Sequence, residues 1–143
     1  MMISTKGRYA VRVMIDLAEH NTGEYITLMD IAKRQDISEK YLESIVSILS
    51  KNGFVNSLRG KGGGYKLSKL PENYTLEDIL ELTEGSLAPV SCLEKQPNTC
   101  PKTGECKTLP VWQGLDKVIR EYLRGVTIAD LINREDASDH YVI

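Results

Sequence analysis

A glycine-rich stretch constrains the fold of this chain more than any other feature of its sequence. Residues 57–67 read SLRGKGGGYKL and place four glycines and three basic side chains between two short apolar runs. The run FVNSL at residues 54–58 has β character, and YKL at residues 65–67 alternates apolar and polar residues. Two short strands joined by a Gly-rich turn form a β-hairpin. The stretch lacks both the G-x-x-x-x-G-K-[ST] spacing and the following helix of a nucleotide-phosphate loop.

Three helices are predicted ahead of the hairpin. Apolar residues at helical spacing cover residues 5–20, and a capping-box-like sequence at residues 27–30 begins a second helix. After a connection of about three residues, Ser38 caps a third helix over residues 39–52. The second and third helices match the helix–turn–helix arrangement. A helix–turn–helix followed directly by a hairpin is a winged helix, with the Gly-rich loop as its wing.

The charges are distributed unevenly along the chain. The net charge is −2, but residues 1–70 hold 11 basic against 7 acidic side chains, and residues 71–143 hold 7 against 13. The basic half contains the predicted winged helix, which favours a polyanionic partner, although chance drift is the alternative in a short chain. No run of about 18 apolar residues and no secretory signal is predicted, so we expect a cytoplasmic protein without a membrane partner.

The third helix and the wing supply the candidate DNA contacts. In a helix–turn–helix the second helix of the motif lies in the major groove, and its N-terminal residues reach base edges. A carboxylate accepts from cytosine N4 but repels phosphates, so Glu43 is a candidate for discrimination rather than affinity. A three-helix core with a solvated polar face is the alternative. The helix candidates are Ser38, Glu39, Lys40, Tyr41, Glu43 and Ser44; in the wing, Arg59 and Lys61 supply charge, and Gly60, Gly62, Gly63 and Gly64 allow close approach.

All three cysteines lie in one segment between two further predicted helices, residues 76–84 and 111–124. Their spacing is Cys92-x7-Cys100-x5-Cys106, and an odd number in this context does not indicate a disulfide framework. Thiolates at such separations can converge on one soft metal centre, and iron–sulfur clusters favour thiolate ligands. A structural zinc site, which usually takes four protein ligands, and a thiol–disulfide switch are the competing interpretations.

Four segments of the chain resemble the Rrf-type winged-helix transcription regulators, a family with IscR-, NsrR- and CymR-like branches. The segments are STKGRYAVRVMIDLA, SEKYLESIVSILSKNGFVNSLRGKGGGYKL, PENYTLEDIL and TIADLIN, and the wing sequence RGxGGGY is the most specific part. The resemblance covers about residues 2–134. It implies a mainly α fold with a small β-hairpin: a winged helix–turn–helix domain followed by a long helix that crosses its partner in a two-fold dimer. The apolar stripe at residues 111–123 fits that role, and intrachain core is the alternative.

The resemblance also implies roles for individual residues and a division of the chain. Arg59 would enter the minor groove, and a dimer would place two recognition helices on a roughly palindromic operator of double-stranded DNA. Contacts from the recognition helix would come from Ser38, Lys40, Tyr41, Glu43 and Ser44. The predicted units are a DNA-binding domain (1–70), a connector helix with the cysteine loop (71–110), a dimerisation helix with a short C-terminal helix (111–134) and a flexible tail (135–143).

The IscR- and NsrR-like branch carries three cysteines in this region and binds an iron–sulfur cluster. The resemblance therefore implies Cys92, Cys100 and Cys106 as ligands, and we expect a [2Fe–2S] in preference to a [4Fe–4S] cluster. The chain departs from the branch at the fourth ligand: Leu109 occupies the histidine position of IscR-like proteins, and Arg8 occupies an acidic position of NsrR-like proteins. The candidates that remain are Glu94, Glu105, Asn98, another thiol or a water.

The predicted function is a DNA-binding transcription regulator, expected to be a repressor, that senses cluster status or redox and nitrosative stress. The alternative is a thiol-based, metabolite-responsive or partner-responsive regulator of the CymR type without a cluster. A protein-interaction module, with a cysteine- or cluster-biosynthesis protein as partner, is the rival class. No paired acid–base constellation supports an enzyme, since His20 lies at a helix end and His140 in the tail.

Overall fold

The computed structural model describes residues 3–94, 101–102 and 104–133. It confirms the predicted class, a mainly helical chain with a small β-hairpin. The elements are α1 (Thr5–Glu19), α2 (Leu28–Gln35), α3 (Glu39–Lys51), β1 (Val55–Leu58), β2 (Gly64–Leu67), α4 (Leu76–Glu84), α5 (Leu109–Arg124) and α6 (Ile128–Ile132), with 3-10 turns at Pro71–Asn73 and Ser91–Leu93. The predicted tail, residues 135–143, lies outside the described residues.

Short polar side chains cap five of these helices at their N-termini. In each case the hydroxyl accepts a hydrogen bond from a backbone N–H in the first turn, which satisfies a donor that the helix itself leaves unpaired. At α4 and α6 the carboxylate of an aspartate three residues after the cap accepts a hydrogen bond from the backbone N–H of the capping threonine, which completes a capping box. These caps fix where each helix begins; they are Ser4, Thr27, Ser38, Thr75 and Thr127.

The core is built around α1, which contacts α2, α3, α4, α6 and β2. Its residues Ala10, Val13 and Met14 are fully buried against the apolar sides of α2 and α3. The apolar residues of α3 recur at helical spacing and face α1, so the opposite side of α3 stays exposed. The core therefore presents one polar face of α3 to solvent; the buried residues of α3 are Leu42, Ile45, Val46 and Leu49.

The hairpin is antiparallel, with Val55 opposite Leu67 and Leu58 opposite Gly64. An isolated bridge joins it to the segment before α2, where Ile26 and Tyr65 exchange two backbone hydrogen bonds of 2.8 Å. Gly64 has φ +144°, and a Cβ at this position would overlap the Ile26 carbonyl. Glycine at residue 64 thus lets the wing lie directly against the helix–turn–helix.

The apolar stripe of α5 separates into two faces. Trp112, Ile119 and Leu123 are half-buried, and Trp112 packs against the apolar cluster of Ala88, Leu93 and Leu109. The other four apolar residues stay exposed, by 61% at Val111, 42% at Leu115, 62% at Val118 and 66% at Tyr122. Intrachain core, the alternative considered for this stripe, thus accounts for only part of it.

The predicted start of α5 was wrong by two residues. The helix begins at Leu109 rather than Val111, because Pro110 stands in the first turn, where its missing N–H costs no hydrogen bond. Two ion pairs hold α5 on α4: Arg120 donates to Glu81 at 2.9 Å, and Arg124 donates to both oxygens of Glu77 at 3.1 Å. Across the part of the chain that the structure describes, no helix has the length and apolar character needed to cross a membrane.

Candidate nucleic-acid interface and cysteine loop

The polar face of α3 exposes most of the residues predicted to contact DNA. Ser38 caps the helix by accepting from the Tyr41 N–H at 3.2 Å, and Ser44 donates its hydroxyl to the Tyr41 carbonyl at 2.7 Å. Both serines therefore have intrachain partners as well as exposed positions. Lys40 and Glu43 are exposed and project from successive turns. The N-terminal half of α3 thus offers donors and one carboxylate to a partner.

Tyr41 differs from the other candidates because it is half-buried. Its ring meets the Tyr9 ring edge-to-face, with 5.8 Å between centroids. The guanidinium of Arg12 lies 5.0 Å from the centroid of the Tyr9 ring. Packing of this kind fixes the ring and supports the start of α3, so Tyr41 has a structural role beside the predicted contact.

The wing tip exposes Arg59 and Lys61 between glycines of left-handed conformation. Gly60 has φ +91° and Gly62 has φ +78°, and the Gly63 N–H donates to the Gly60 carbonyl at 3.0 Å to close the turn. Within residues 3–94, 101–102 and 104–133, no carboxylate forms an ion pair with either basic side chain. Both charges are thus available to an anionic partner.

A solvent-facing groove of about 340 Å³ separates α3 from the wing. The Ser50 hydroxyl lies 3.5 Å from the Ser57 hydroxyl and joins the two walls. The three serines that line this groove, and Lys51, were not among the predicted DNA contacts. Positions 43, 47, 50 and 51 nevertheless lie on one face of α3. The lining residues are Glu43, Ser47, Ser50, Lys51, Ser57, Leu58, Arg59 and Tyr65.

The base of the wing is held by Tyr74, which is only 2% exposed. Its hydroxyl donates to the Phe54 carbonyl at 2.7 Å and accepts from the backbone N–H groups of Ser68 and Lys69 at 3.1 and 2.9 Å. One side chain from the connector therefore fastens the beginning of β1 and the end of β2 together.

An ion pair with a buried carboxylate fixes the helix–turn–helix against α1. Asp16 is 1% exposed and accepts from Nε and Nη2 of Arg34, at 2.9 and 2.8 Å, and from the Gln35 amide at 2.9 Å. The hydrogen bond to Asp16 raises the pKa of the Arg34 guanidinium above its usual value. The guanidinium thus remains charged, and the end of α2 stays on α1.

Two of the three predicted cysteine ligands lie beside one small apolar cluster. Cys92 sits in the 3-10 turn after α4, and Cys106 lies just before α5. Both pack against the cluster formed by the buried Ala88, Leu93 and Leu109, with Trp112 at its edge. Cys100 lies outside the described residues.

The environment of Cys106 favours the thiolate. Its Sγ lies 3.4 Å from the Thr108 hydroxyl, and this hydrogen bond lowers the pKa of the Cys106 thiol below its usual range. The backbone N–H groups of Thr108 and Leu109 act in the same direction. A thiolate is the form that binds metals and reacts with oxidants.

The candidate positions for a fourth ligand lie in different environments. Leu109 is buried in the apolar cluster, and Arg8 is exposed on α1 with its guanidinium donating to the Thr5 hydroxyl at 3.1 Å. Glu94 and Glu105 are exposed, and Asn98 lies outside the described residues. Within the described ranges, no three His, Cys, Asp or Glu side chains converge as a metal site, which leaves out any set that includes Cys100.

Comparison with known proteins gives consistent matches along almost the whole chain. "Protein rrf2" of Nitratidesulfovibrio vulgaris Hildenborough is 37% identical over 96% of this chain and 90% of its own length. The "HTH-type transcriptional regulator IscR" of Yersinia pseudotuberculosis is 38% identical over 95% of this chain and 82% of its own length.

Solved structures agree with these relatives. The global cysteine regulator CymR of B. subtilis superposes with a TM-score of 0.76 and 37% identity, covering 95% of this chain and 99% of that one. IscR of T. potens gives 0.73 and 34%, covering 99% and 97%. The family model described as Rrf2, "Iron-dependent Transcriptional regulator", matches residues 3–134. The chain therefore belongs to the Rrf2 family of transcription regulators, with the winged-helix fold of its IscR and CymR relatives.

Proposed function

We propose that this chain is a homodimeric repressor that binds a palindromic operator in double-stranded DNA. In each subunit α3 enters the major groove, and Arg59 enters the adjacent minor groove. The observation that carries the proposal is the joint exposure of the α3 polar face and the Arg59 tip on either side of one groove. The proposed units follow the division given above, with residues 1–70 as the DNA-binding domain.

Within this interface the residues have different tasks. Ser38, Lys40 and Ser44 donate to phosphates or base edges, and Tyr41 positions the start of α3 through Tyr9. Glu43 discriminates between operators, because its carboxylate accepts from cytosine N4 and is repelled by a misplaced phosphate. Lys61 adds charge beside Arg59, and Gly60 lets the backbone approach the DNA.

The dimer forms through the exposed apolar face of α5. Val111, Leu115, Val118 and Tyr122 recur at i, i+4, i+7 and i+11, so they form one stripe along the helix. A second copy covers the stripe with the same stripe, as a two-fold interface requires. The same axis relates two α3 helices, which is why a palindromic operator matches the dimer.

Arg59→Ala tests the wing. Loss of one minor-groove arginine should weaken operator binding by about ten- to a hundredfold in each half-site, with a shallower salt dependence. The measurement is fluorescence anisotropy with a palindromic duplex at several salt concentrations. Lys69→Ala, an exposed charge outside the groove, is the matched control. Equal affinity for the Arg59→Ala variant and the parent would show that the wing does not bind DNA.

The cysteine loop is proposed to hold an iron–sulfur cluster through Cys92, Cys100 and Cys106. Thiolates are the donors that such clusters take, two of the three sulfurs share one apolar cluster, and Cys106 favours its thiolate. When bound, a cluster would supply redox- and nitric-oxide-sensitive chemistry. Cys92 and Cys106 pack against Leu93 and Leu109. The loop joins α4 to α5, so a change in the loop would be transmitted to the dimer helix.

Anaerobic absorption spectra with iron and sulfide analysis test the cluster. Freshly purified parent protein should be coloured and should contain iron and sulfide, and Cys92→Ser or Cys106→Ser should lose both. Ser91→Ala, which changes an exposed neighbour but no sulfur, is the control. Colourless parent protein with stoichiometric zinc, or with no metal after reconstitution, would exclude the cluster.

A thiol switch is the second candidate, and a specific observation favours it. CymR structures, one of them of an oxidized form, share this fold, and the hydrogen bond to Thr108 lowers the pKa of the Cys106 thiol. On this alternative, peroxide joins two of the three cysteines in metal-free protein and changes operator affinity. Mass spectrometry of peroxide-treated, metal-free protein separates the two candidates. A cysteine- or cluster-biosynthesis protein bound by the acidic second half is a third, partner-dependent route.

A further inference from the structure

We infer that two ion pairs between α4 and α5 determine which spacing of operator half-sites the dimer accepts. The pairs are Arg124–Glu77 and Arg120–Glu81. They fix the angle of the dimer helix on each winged helix, so both glutamates are positioning residues that do not touch DNA. The inference rests on the proposed dimer and its palindromic operator, and it adds a determinant of specificity to them.

The C-terminal end of α5 is tied to the beginning of α4 by backbone hydrogen bonds. The Leu76 N–H donates to the Val126 carbonyl at 2.9 Å. The Ile128 N–H donates to the Tyr74 carbonyl at 3.0 Å. Because α4 packs against α1 of the winged helix, this end of α5 keeps its place on the winged helix, and we call it the fixed end.

Little apolar packing holds the rest of α5. The structure describes every residue of this helix, and among them only Leu109 is buried. Leu109 belongs to the small cluster beside the cysteine loop and not to the main core. An element with so few buried apolar contacts tilts about its fixed end at low cost unless other contacts set its angle.

The two ion pairs supply those contacts. The two glutamates stand four residues apart on α4 and the two arginines four residues apart on α5, so the pairs lie one turn apart. Arg124 donates to both oxygens of Glu77 at 3.1 Å. Arg120 donates to Glu81 at 2.9 Å and to Asp116 at 3.4 Å. Two pairs at different distances from the fixed end define the angle of α5, which one pair alone would not do.

Burial makes the pair nearer the fixed end selective for one geometry. Glu77 is only 9% exposed, and a carboxylate removed from water is costly unless a cation pairs with it. A tilt of α5 that withdraws Arg124 would leave this carboxylate unpaired. The pair therefore disfavours other angles of α5 more strongly than an ion pair between two exposed side chains would.

A small tilt of α5 changes the separation of the two winged helices by about one base pair. Val118, at the centre of the apolar stripe, lies about 12 Å from Val126 at 1.5 Å per residue. A tilt of about 10° then moves the two-fold axis by about 2 Å relative to each winged helix, or about 4 Å for the two together. One base pair occupies about 3.4 Å of the duplex. The angle of α5 thus decides which half-site spacing fits the dimer.

The double variant Glu77→Gln/Glu81→Gln tests the inference, because it removes both negative charges and nearly keeps the size of the side chains. Neither glutamate lies in the proposed DNA interface or in the α5 stripe. The matched control is Glu72→Gln/Glu121→Gln, which changes the net charge equally at two exposed positions. Glu121 pairs with Lys117 at 3.9 Å within α5, so this control also loses an ion pair but none to α4.

The probe is a palindromic duplex selected by the parent protein from a randomised pool, together with duplexes that have one base pair inserted or removed at its centre. The measured quantity is the ratio of the affinities for the selected and the respaced duplexes. The parent and the control should show the same ratio. The double variant should lower it by about three- to tenfold, which is what two partly exposed ion pairs can supply. Sedimentation equilibrium should show a dimer in every case, since the stripe is unchanged.

Glu81→Gln alone separates the effect on spacing from any effect on folding. Glu81 is exposed and Arg120 keeps Asp116, so the melting temperature should match that of the parent while the ratio falls by a smaller factor. A dimeric Glu81→Gln protein with the parent's ratio would show that the ion pairs do not set the spacing. If the parent itself binds selected and respaced duplexes equally, the proposed two-fold binding to a palindrome fails as well.

Discussion

Val118→Asp should separate the proposed dimer into monomers. Val118 is 62% exposed at the centre of the α5 stripe, and aspartate is close to valine in size and in helix propensity. Fully burying a valine side chain stabilises by about 1.5–3 kcal/mol, so covering this exposed part contributes about 1–2 kcal/mol per copy. Because the two-fold interface contains two copies of Val118, the substitution removes about 2–4 kcal/mol of dimerisation free energy.

The carboxylate adds a second penalty. An unpaired charge desolvated in an apolar interface costs further free energy beyond the lost transfer term. We therefore expect at least about 4 kcal/mol in total, which weakens dimerisation about a thousandfold. The fold of the monomer should survive, because most of this side chain already faces water.

Sedimentation equilibrium over a range of protein concentrations measures the change. Gln113→Glu adds a negative charge to the same helix at an exposed position opposite the stripe, and it should leave the dimer intact. Far-UV circular dichroism should show equal helix content in both variants. A Val118→Asp protein that dimerises as tightly as the parent would refute the assignment of the stripe.

Substitutions at Asp16 and at two wing glycines test how the winged helix of residues 1–70 is stabilised. Asp16→Ala leaves the Arg34 guanidinium without its carboxylate and should lower the free energy of unfolding, measured by urea denaturation, by about 3 kcal/mol. This is the lower end of the cost of breaking a buried ion pair, because Arg34 is 34% exposed. Gly64→Ala should lower the free energy of unfolding by about 2–4 kcal/mol, because residue 64 has a positive φ and the added Cβ would overlap the Ile26 carbonyl. Gly62→Ala also places alanine at a positive φ but has no atom near the added Cβ, so it should lower the free energy of unfolding by only about 1–2 kcal/mol. Equal melting temperatures for the two glycine variants would contradict the close approach of the wing.

Local patterns predicted the helices and the hairpin because each has a local cause. Ser38 caps α3 where expected, Thr75 caps α4 directly before the predicted start at residue 76, and Gly85 ends α4 with φ +78°. The isolated β-bridge between Ile26 and Tyr65 was not predicted, because a pairing of two isolated residues produces no periodic pattern in the sequence. Such pairings depend on the tertiary fold alone.

The functional surfaces were predicted less completely for the same reason. The wing contact Arg59 follows from composition and order along the chain, but the facing serines Ser47 and Ser57 come from two elements whose distance no local pattern encodes. Periodicity also could not divide the α5 stripe between its two faces. That division depends on how Arg120 and Arg124 anchor the helix to α4.

The Tyr74 anchor bears on the conformational entropy of DNA binding. Because both strand ends are fastened at the base, only the five residues 59–63 between β1 and β2 are left for the duplex to order. At about 1–2 kcal/mol per residue, that ordering costs at most about 5–10 kcal/mol. If the base of the wing were not held, DNA binding would also have to order the strand residues. On the proposed function, the buried Tyr74 should therefore raise operator affinity without contacting the DNA.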